Sequence, residues 1–189
     1  MTQQGKNAID LVLAESLIEL SAKKPIEKIT IKEITDKAGV IRPTFYNHFQ
    51  DKYELIEWII NNDLLEAMIP LLNAGMIFEA IVLMLNKISA NETFYKKALK
   101  LDGPVSFNDI AMKCVYEMFM NIIMEHASGK KHKYRWLTPE VIATYYAQSL
   151  CFITEGWIAQ GMGDIEPKEM AEAYMYLITR SMDDVLKEL

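Results

Sequence analysis

Residues 30–52 read TIKEITDKAGVIRPTFYNHFQDK, and this stretch decides the fold. Thr30 followed by Glu33 is a capping-box pattern, so a short helix is predicted to start at Ile31. Ile31, Ile34 and Ala38 then fall at helical spacing on its inner side. Gly39 ends the helix, because glycine tolerates the left-handed backbone of a tight turn between helices. A second short helix is expected over about Arg42 to Phe49, with Pro43 in its first turn, where a missing N–H costs nothing. Val40, Phe45 and Phe49 are assigned to the core, and Arg42, Thr44, Tyr46, Asn47 and His48 to the outer side. Two short helices, a tight turn and a polar outer face on the second read as a helix-turn-helix.

Upstream, one helix is predicted from about Asn7 to Ala22. Its buried stripe is Ile9, Val12, Leu13, Leu17 and Leu20, with Asp10, Glu15 and Glu19 outside. Lys23-Lys24-Pro25 closes it, since the residue before proline avoids helical geometry. Ile26 and Ile29 pin the connector to a small core shared by Leu17, Ile34, Val40, Phe45 and Phe49. About fifty residues is small for independent stability, so this head needs support from the body that follows.

Downstream, Asp51 with Glu54 repeats the capping logic. It opens a fourth helix through Leu55, Trp58, Ile59 and Leu65 to about Pro70, with Trp58 read as a core or domain-junction residue before a ligand-stacking one. Helices are further expected over about 76–87, 91–101, 106–126 and 138–161. A last one opens at Pro167 and carries Met170, Tyr174, Leu177, Ile178, Met182, Val185 and Leu186. Residues 128–135, SGKKHKYR, form a basic, solvated loop. No strand pattern, repeat or low-complexity segment stands out. The expected fold is all-α: a three-helix head over residues 1–52 on a helical bundle over residues 53–189.

Composition agrees with a globular chain: of 189 residues, 51% are hydrophobic and 24% charged. The net charge of −6 argues at first against nucleic acid. Its distribution changes that reading, because residues 1–52 hold eight Lys/Arg against seven Asp/Glu and the acidic excess lies in the remainder. Only the surface facing DNA must match phosphates. No secretory signal is read at Met1-Thr2-Gln3-Gln4-Gly5-Lys6, and no apolar run reaches the ~18 residues of a membrane helix. With Cys114 and Cys151 on separate apolar segments, the expectation is a cytoplasmic protein with two buried thiols.

For DNA the argument is geometric, since a recognition helix sets its N-terminal and outward residues at base edges. Arg42 can fork onto guanine and Asn47 can pair with adenine, while compact Pro43 lets the helix start approach the bases. Thr44, Tyr46 and His48 suit phosphate oxygens. Lys52 and Thr30, each at a helix start, complete the set of expected phosphate contacts. Each residue alone reads as an ordinary solvated helix face; the case rests on their coming together.

The run Gly39 to Leu55, GVIRPTFYNHFQDKYEL, resembles the recognition-helix motif of the TetR family of transcriptional regulators. The resemblance extends over the first fifty-five or so residues. It departs at Ile41, where the family usually has a serine or similar small polar residue that caps the recognition helix. Losing such a cap costs ~1 kcal/mol. The resemblance implies a homodimer on a palindromic operator, a repressor in the first reading. It also implies a helical body that binds a small effector or a protein partner and alters head spacing through the fourth helix. The segment from Phe152 to Trp157, leading into Gly161 and Pro167, is similar to the dimer-forming terminal helices of the family. This places Leu150, Ile153, Trp157, Tyr174, Leu177 and Ile178 at the dimer interface. Phe94 to Leu99 and Phe107 further resemble a subgroup that includes a dihydroxyacetone-kinase operon regulator.

Ligand-binding residues are not readable. Twelve methionines with Phe78, Phe107, Tyr145 and Trp157 could line an apolar pocket, yet such residues at helical spacing are more often plain core. An enzyme reading finds no phosphate-cradling glycine loop and no nucleophile motif. His48, His126 and His132 have no metal-ligand spacing with the cysteines, so no cofactor or metal is expected. The alternative is a helical protein-interaction module that has lost sequence-specific DNA binding, motivated by Ile41.

Overall fold

The computed structural model describes residues 3–126 and 133–188. Every regular element among them is helical apart from one isolated antiparallel bridge between Asp102 and Ser106. The head is α1 (Gln3–Lys23), a single 3-10 turn (Ile26–Lys28), α2 (Ile31–Ala38) and α3 (Arg42–Tyr46). The expected capping box is present: Thr30 Oγ1 accepts from Glu33 N–H, and Glu33 Oε2 accepts from Thr30 N–H. Gly39 has φ +69°, the left-handed turn that lets α2 stop and α3 leave at an angle. Leu13, Leu17, Ile26, Ile29, Ile34, Phe45 and Phe49 are buried and form the head's core.

Three expectations for the head are corrected. Val12 is exposed, and Asp10 is buried against His48. A stripe drawn from apolar periodicity cannot foresee a carboxylate held inside by a partner far away in sequence. The third helix ends at Tyr46, and residues 47–49 turn back so that Phe49 reaches the core.

Asp51 caps α4 (Lys52–Ile59), its carboxylate accepting from the N–H groups of Tyr53 and Glu54 at 2.8 and 2.9 Å. The helix does not run regularly onward. Ile60–Leu65 is wound as a π-helix before α5 (Glu66–Asn73) resumes the ordinary pitch and passes Pro70. Trp58 stands edge-on to Phe49 with ring centroids 6.3 Å apart, which ties α4 to the head core.

The body continues with α6 (Ile77–Ala90), α7 (Glu92–Ala98), α8 (Phe107–His126), α9 (Pro139–Ala159), α10 (Pro167–Thr179) and α11 (Met182–Leu186). Ser106 starts α8 as expected, accepting from Asp109 N–H while the Asp109 carboxylate accepts from Ser106 N–H. The last helix is shorter than expected. Arg180 is extended and Ser181 caps a new turn by accepting from Asp184 N–H, so Met182, Val185 and Leu186 belong to α11. Of the basic loop, residues 128–132 lie outside the described residues; Lys133, Tyr134 and Arg135 are exposed. Both cysteines are buried free thiols, and burial pushes each up to about 12. Among the described residues no helix is long and apolar enough to cross a membrane.

Candidate nucleic-acid interface and a buried cavity

The interface begins with what fixes α3. Phe45 is fully buried, its ring 5.8 Å from that of Phe49, so the opposite side of the helix turns to solvent. Arg42, Pro43, Tyr46 and Asn47 are exposed there and Thr44 is half-buried. Arg42 and Tyr46 are one turn apart: Arg42 Nη2 donates to Tyr46 Oη at 3.2 Å, and the guanidinium carbon lies 5.8 Å from the ring centroid. The contact holds the guanidinium along the helix and leaves most of its N–H donors unengaged. Ile41 stands at the cap position 69% exposed with no side-chain hydrogen bond, so the helix start lacks a hydroxyl cap.

Three expected contact residues are otherwise engaged. The His48 imidazole is 2% exposed and its Nδ1 lies 2.6 Å from Asp10 Oδ1, so it faces inward and is not on the outer side. Lys52 Nζ donates to the carbonyls of Ile26, Glu27 and Ile29 at 3.0, 2.7 and 3.3 Å, closing the 3-10 turn onto α4. Burial holds this ammonium below the usual lysine range. The Thr30 hydroxyl donates to Glu33 Oε2 at 2.8 Å within the capping box. Lys24 beside Glu33, together with Thr30, holds that carboxyl down to about 2.

A cavity lies in the body where the π-helix meets α6, α7, α8 and α9. Its volume is about 40 Å³, and its walls are mostly aliphatic, including Ile60, Leu64, Met84, Val115 and Leu150. Tyr95, Thr154 and Glu155 break that wall. Tyr95 Oη, Thr154 Oγ1 and Glu155 Oε1 are buried and have no hydrogen-bond partner among the described residues, and the surface open to the cavity is apolar. Burial raises the Glu155 carboxyl and the Tyr95 phenol above their ordinary ranges. Asp63, on the π-helix, accepts from Lys87 Nζ through Oδ1 at 3.1 Å, and its Oδ2 is buried without a hydrogen-bond partner among the described residues.

Comparison with known proteins matches residues 15–59 to the family model described as "Bacterial regulatory proteins, tetR family". Residues 76–180 match a second model, "Transcriptional regulator C-terminal region". The chain belongs to the TetR family of transcriptional regulators. It is similar to the "HTH-type dhaKLM operon transcriptional activator DhaS" of Lactococcus lactis, with 28% identity over 156 residues and 79% of each chain covered. Among solved structures, the dihydroxyacetone kinase operon activator DhaS superposes with TM-score 0.64 at 22% identity, over 90% of this chain and 94% of that one. NalD, described as the secondary repressor of the MexAB-OprM efflux pump in Pseudomonas aeruginosa, gives 0.60 at 14% identity, over 93% and 96%. RolR in complex with resorcinol gives 0.52 at 15% identity, over 93% and 90%. At these identities the superpositions speak for the fold.

In this TetR-family chain the expected dimer residues separate into two sets. Leu150, Trp157 and Tyr174 are buried within the protomer, which corrects their assignment to a surface. Leu150 lines the cavity, the Trp157 indole N–H donates to the Ile165 carbonyl at 3.0 Å, and the Tyr174 hydroxyl is 2.9 Å from Ser149 Oγ. Ile153 and Ile178 are half-buried, while Leu177 is 51% exposed. Phe152, not on the expected list, is 76% exposed, and Tyr145 lies two turns earlier on α9, also exposed. Of the residues suggested for a ligand pocket, Phe107 lines the cavity; Phe78, Tyr145 and Trp157 do not. Thr154 and Glu155 were legible only as polar residues interrupting the apolar stripe of α9. Among the described residues no group of three or more His, Cys, Asp or Glu could hold a metal ion.

Proposed function

We propose that the chain is a cytoplasmic homodimeric regulator that sets two copies of the Arg42–Asn47 face into successive major grooves of a palindromic operator. The observation that carries this is α3 itself. Its apolar side is locked by Phe45, while Arg42, Pro43, Tyr46 and Asn47 project together into solvent from a family-matched segment. Arg42 and Asn47 are the base readers in this reading. Thr44 and Tyr46 address phosphate oxygens. Thr30, His48 and Lys52 act one step back, holding the helices that carry the contacts.

The division of labour falls near Lys52, with residues 1–52 reading DNA and 53–189 pairing and sensing. Phe152 and Leu177 lie about one turn beyond the Ser149–Tyr174 contact on their own helices. Together with Ile153, Ile178 and Tyr145 they form the apolar face offered to a second copy. The body responds to an occupant of its cavity, because the π-helix lining that cavity continues directly from α4, whose first residue clamps the head. A TetR-family chain acts by binding rather than by catalysis, and no enzymatic role is proposed. Repression by occupying the operator is the simplest sign of regulation; the name of the DhaS relative makes activation the competing sign.

Selection of duplexes from a random pool tests the reading. Enrichment of a palindrome with half-sites about one helical turn apart is expected. No enrichment at moderate salt would instead favour a protein-interaction module without sequence-specific DNA binding. A promoter fusion carrying the selected site then gives the sign of regulation.

A further inference from the structure

We propose that Lys97, with the loop that follows α7, is a positioning element for DNA binding: a strut, separate from α4, that sets the angle of the head on the body. The inference rests on the dimeric reading above, because that angle matters most where two heads must meet one duplex.

The chemistry starts at the end of α1. The last carbonyls of a helix have no N–H partner within it and carry the negative end of its dipole. A basic side chain near that end often meets them. In α1 the cation comes from another part of the chain. Lys97 Nζ donates to the carbonyls of Ser21 and Ala22 at 2.5 and 2.9 Å, across 76 and 75 residues of sequence. The accepting turn is itself held, since Ser21 is fully buried and its hydroxyl donates to the Ile18 carbonyl at 2.6 Å.

The donor's own helix is anchored in the body. Phe94, Tyr95 and Ala98 of α7 are buried, and the Tyr95 ring stands edge-on to Phe107 of α8 with centroids 6.3 Å apart. Lys97 therefore ties a fixed helix of the body to the last turn of a helix of the head.

The loop after α7 reaches the same corner. Leu101 is buried, and the Asp102 N–H donates to Glu27 Oε1 at 3.3 Å. A Cβ at Gly103 would come within 2.6 Å of Tyr53 Oη, so this loop passes closely over the first turn of α4. The end of α1 and the 3-10 turn are thus gripped from two sides. Lys52 of α4 takes the carbonyls of Ile26, Glu27 and Ile29, while Lys97 and Asp102 take Ser21, Ala22 and the Glu27 carboxylate.

A head fixed at one place can swivel about it, and a second attachment removes that rotation. The two heads must address half-sites about one helical turn apart, so a loosened angle costs the second contact before it costs the first.

The test compares the full-length wild type with Lys97→Met, which keeps an apolar stem and removes the donors, and with Lys97→Arg, which restores donors. Each binds a duplex carrying one half-site and palindromes whose half-sites are moved apart or together by single base pairs. Melting temperature and sedimentation check folding and pairing. Lys97→Met is expected to bind the half-site as wild type does, to lose about tenfold on the best palindrome and to discriminate less between spacings. Lys97→Arg is expected to recover most of both. Glu27→Ala, at an exposed side chain, is expected to broaden the spacing preference in the same direction but less, and it decides the matter if Lys97→Met does not fold.

Equal losses on half-site and palindrome would make Lys97 a stability contact only. An unchanged spacing preference in Lys97→Met, or in Glu27→Ala where that variant decides, would mean that the strut sets nothing. Failure of arginine to restore binding would assign the effect to the stem and not to the donors. Each of these overturns the proposal while leaving the regulator standing. A wild type that favours no palindrome over a half-site sinks the dimeric reading, and this inference with it.

Discussion

His48 Nδ1 lies 2.6 Å from Asp10 Oδ1, joining the turn after the recognition helix to the first helix across thirty-eight residues of sequence. Both side chains are removed from water, and the pair sits behind the face that α3 offers. Its work is to hold α3 at a fixed angle to α1. Asp10→Ala leaves a buried imidazole without its partner, an expected loss of about 1–3 kcal/mol. Urea unfolding followed by circular dichroism measures it. The paired Asp10→Ala, His48→Leu change is expected to recover part of the loss, because removing both polar groups is gentler than orphaning one. A single variant as stable as wild type would show that the contact is incidental.

Glu33 carries a prediction about acid. Its carboxyl falls from the usual value near 4.5 to about 2 in the folded chain, through Lys24 first and then Thr30. A depressed folded value means the group favours the folded state above pH 4.5 and ceases to do so as pH falls toward 2. Glu33→Gln is therefore expected to lower the melting temperature at neutral pH and to flatten its fall between pH 4.5 and 2. Parallel melting curves for wild type and variant across that window would rule the linkage out.

Arg42 is expected to govern which base is read. Arg42→Ala should relax preference at one position of each half-site, with about 1–3 kcal/mol lost against the best sequence. Tyr46→Phe removes the hydroxyl that accepts from Arg42 Nη2 and should produce a weaker form of the same change. Competition between operator variants at fixed salt separates the two. A uniform loss across all sequences would make Arg42 a phosphate contact instead.

The helix-turn-helix was legible because its signals are local. Thr30, Glu33, Gly39 and Asp51 each state a cap or a turn within four residues, and all four appear as read. What escaped was non-local. Nothing near His48 announces Asp10, and nothing near Lys52 announces the carbonyls of Ile26, Glu27 and Ile29. Both therefore read as DNA contacts, His48 from its place on the expected outer side of the helix and Lys52 from its charge at a helix start. The π-helix at Ile60–Leu65 escaped for a related reason, since a single widened turn leaves no apolar period of its own. At the other end of the chain, Leu150, Trp157 and Tyr174 read as dimer residues, but an apolar position on a helix does not say whether the burying surface belongs to another copy or, as here, to the same one.

That ambiguity gives the last prediction. If α9 and α10 pair with a second copy, the residues that matter are those the protomer itself leaves bare, Phe152 and Leu177, and not the buried Leu150 or Tyr174. Phe152→Glu and Leu177→Glu each place a carboxylate on that face without disturbing the intramolecular core. Sedimentation should then report monomers whose melting behaviour falls only as far as loss of pairing demands. Operator affinity should drop steeply, because a single head has lost the second half-site that the dimer supplied at high effective concentration. Leu150→Ala provides the contrast. It opens space beside the cavity, is expected to cost about 2–5 kcal/mol of stability, and should leave dimerisation intact wherever the chain remains folded. A dimer that survives both glutamate substitutions would move the pairing surface elsewhere, with exposed Trp136, just before α9, as the next residue to test.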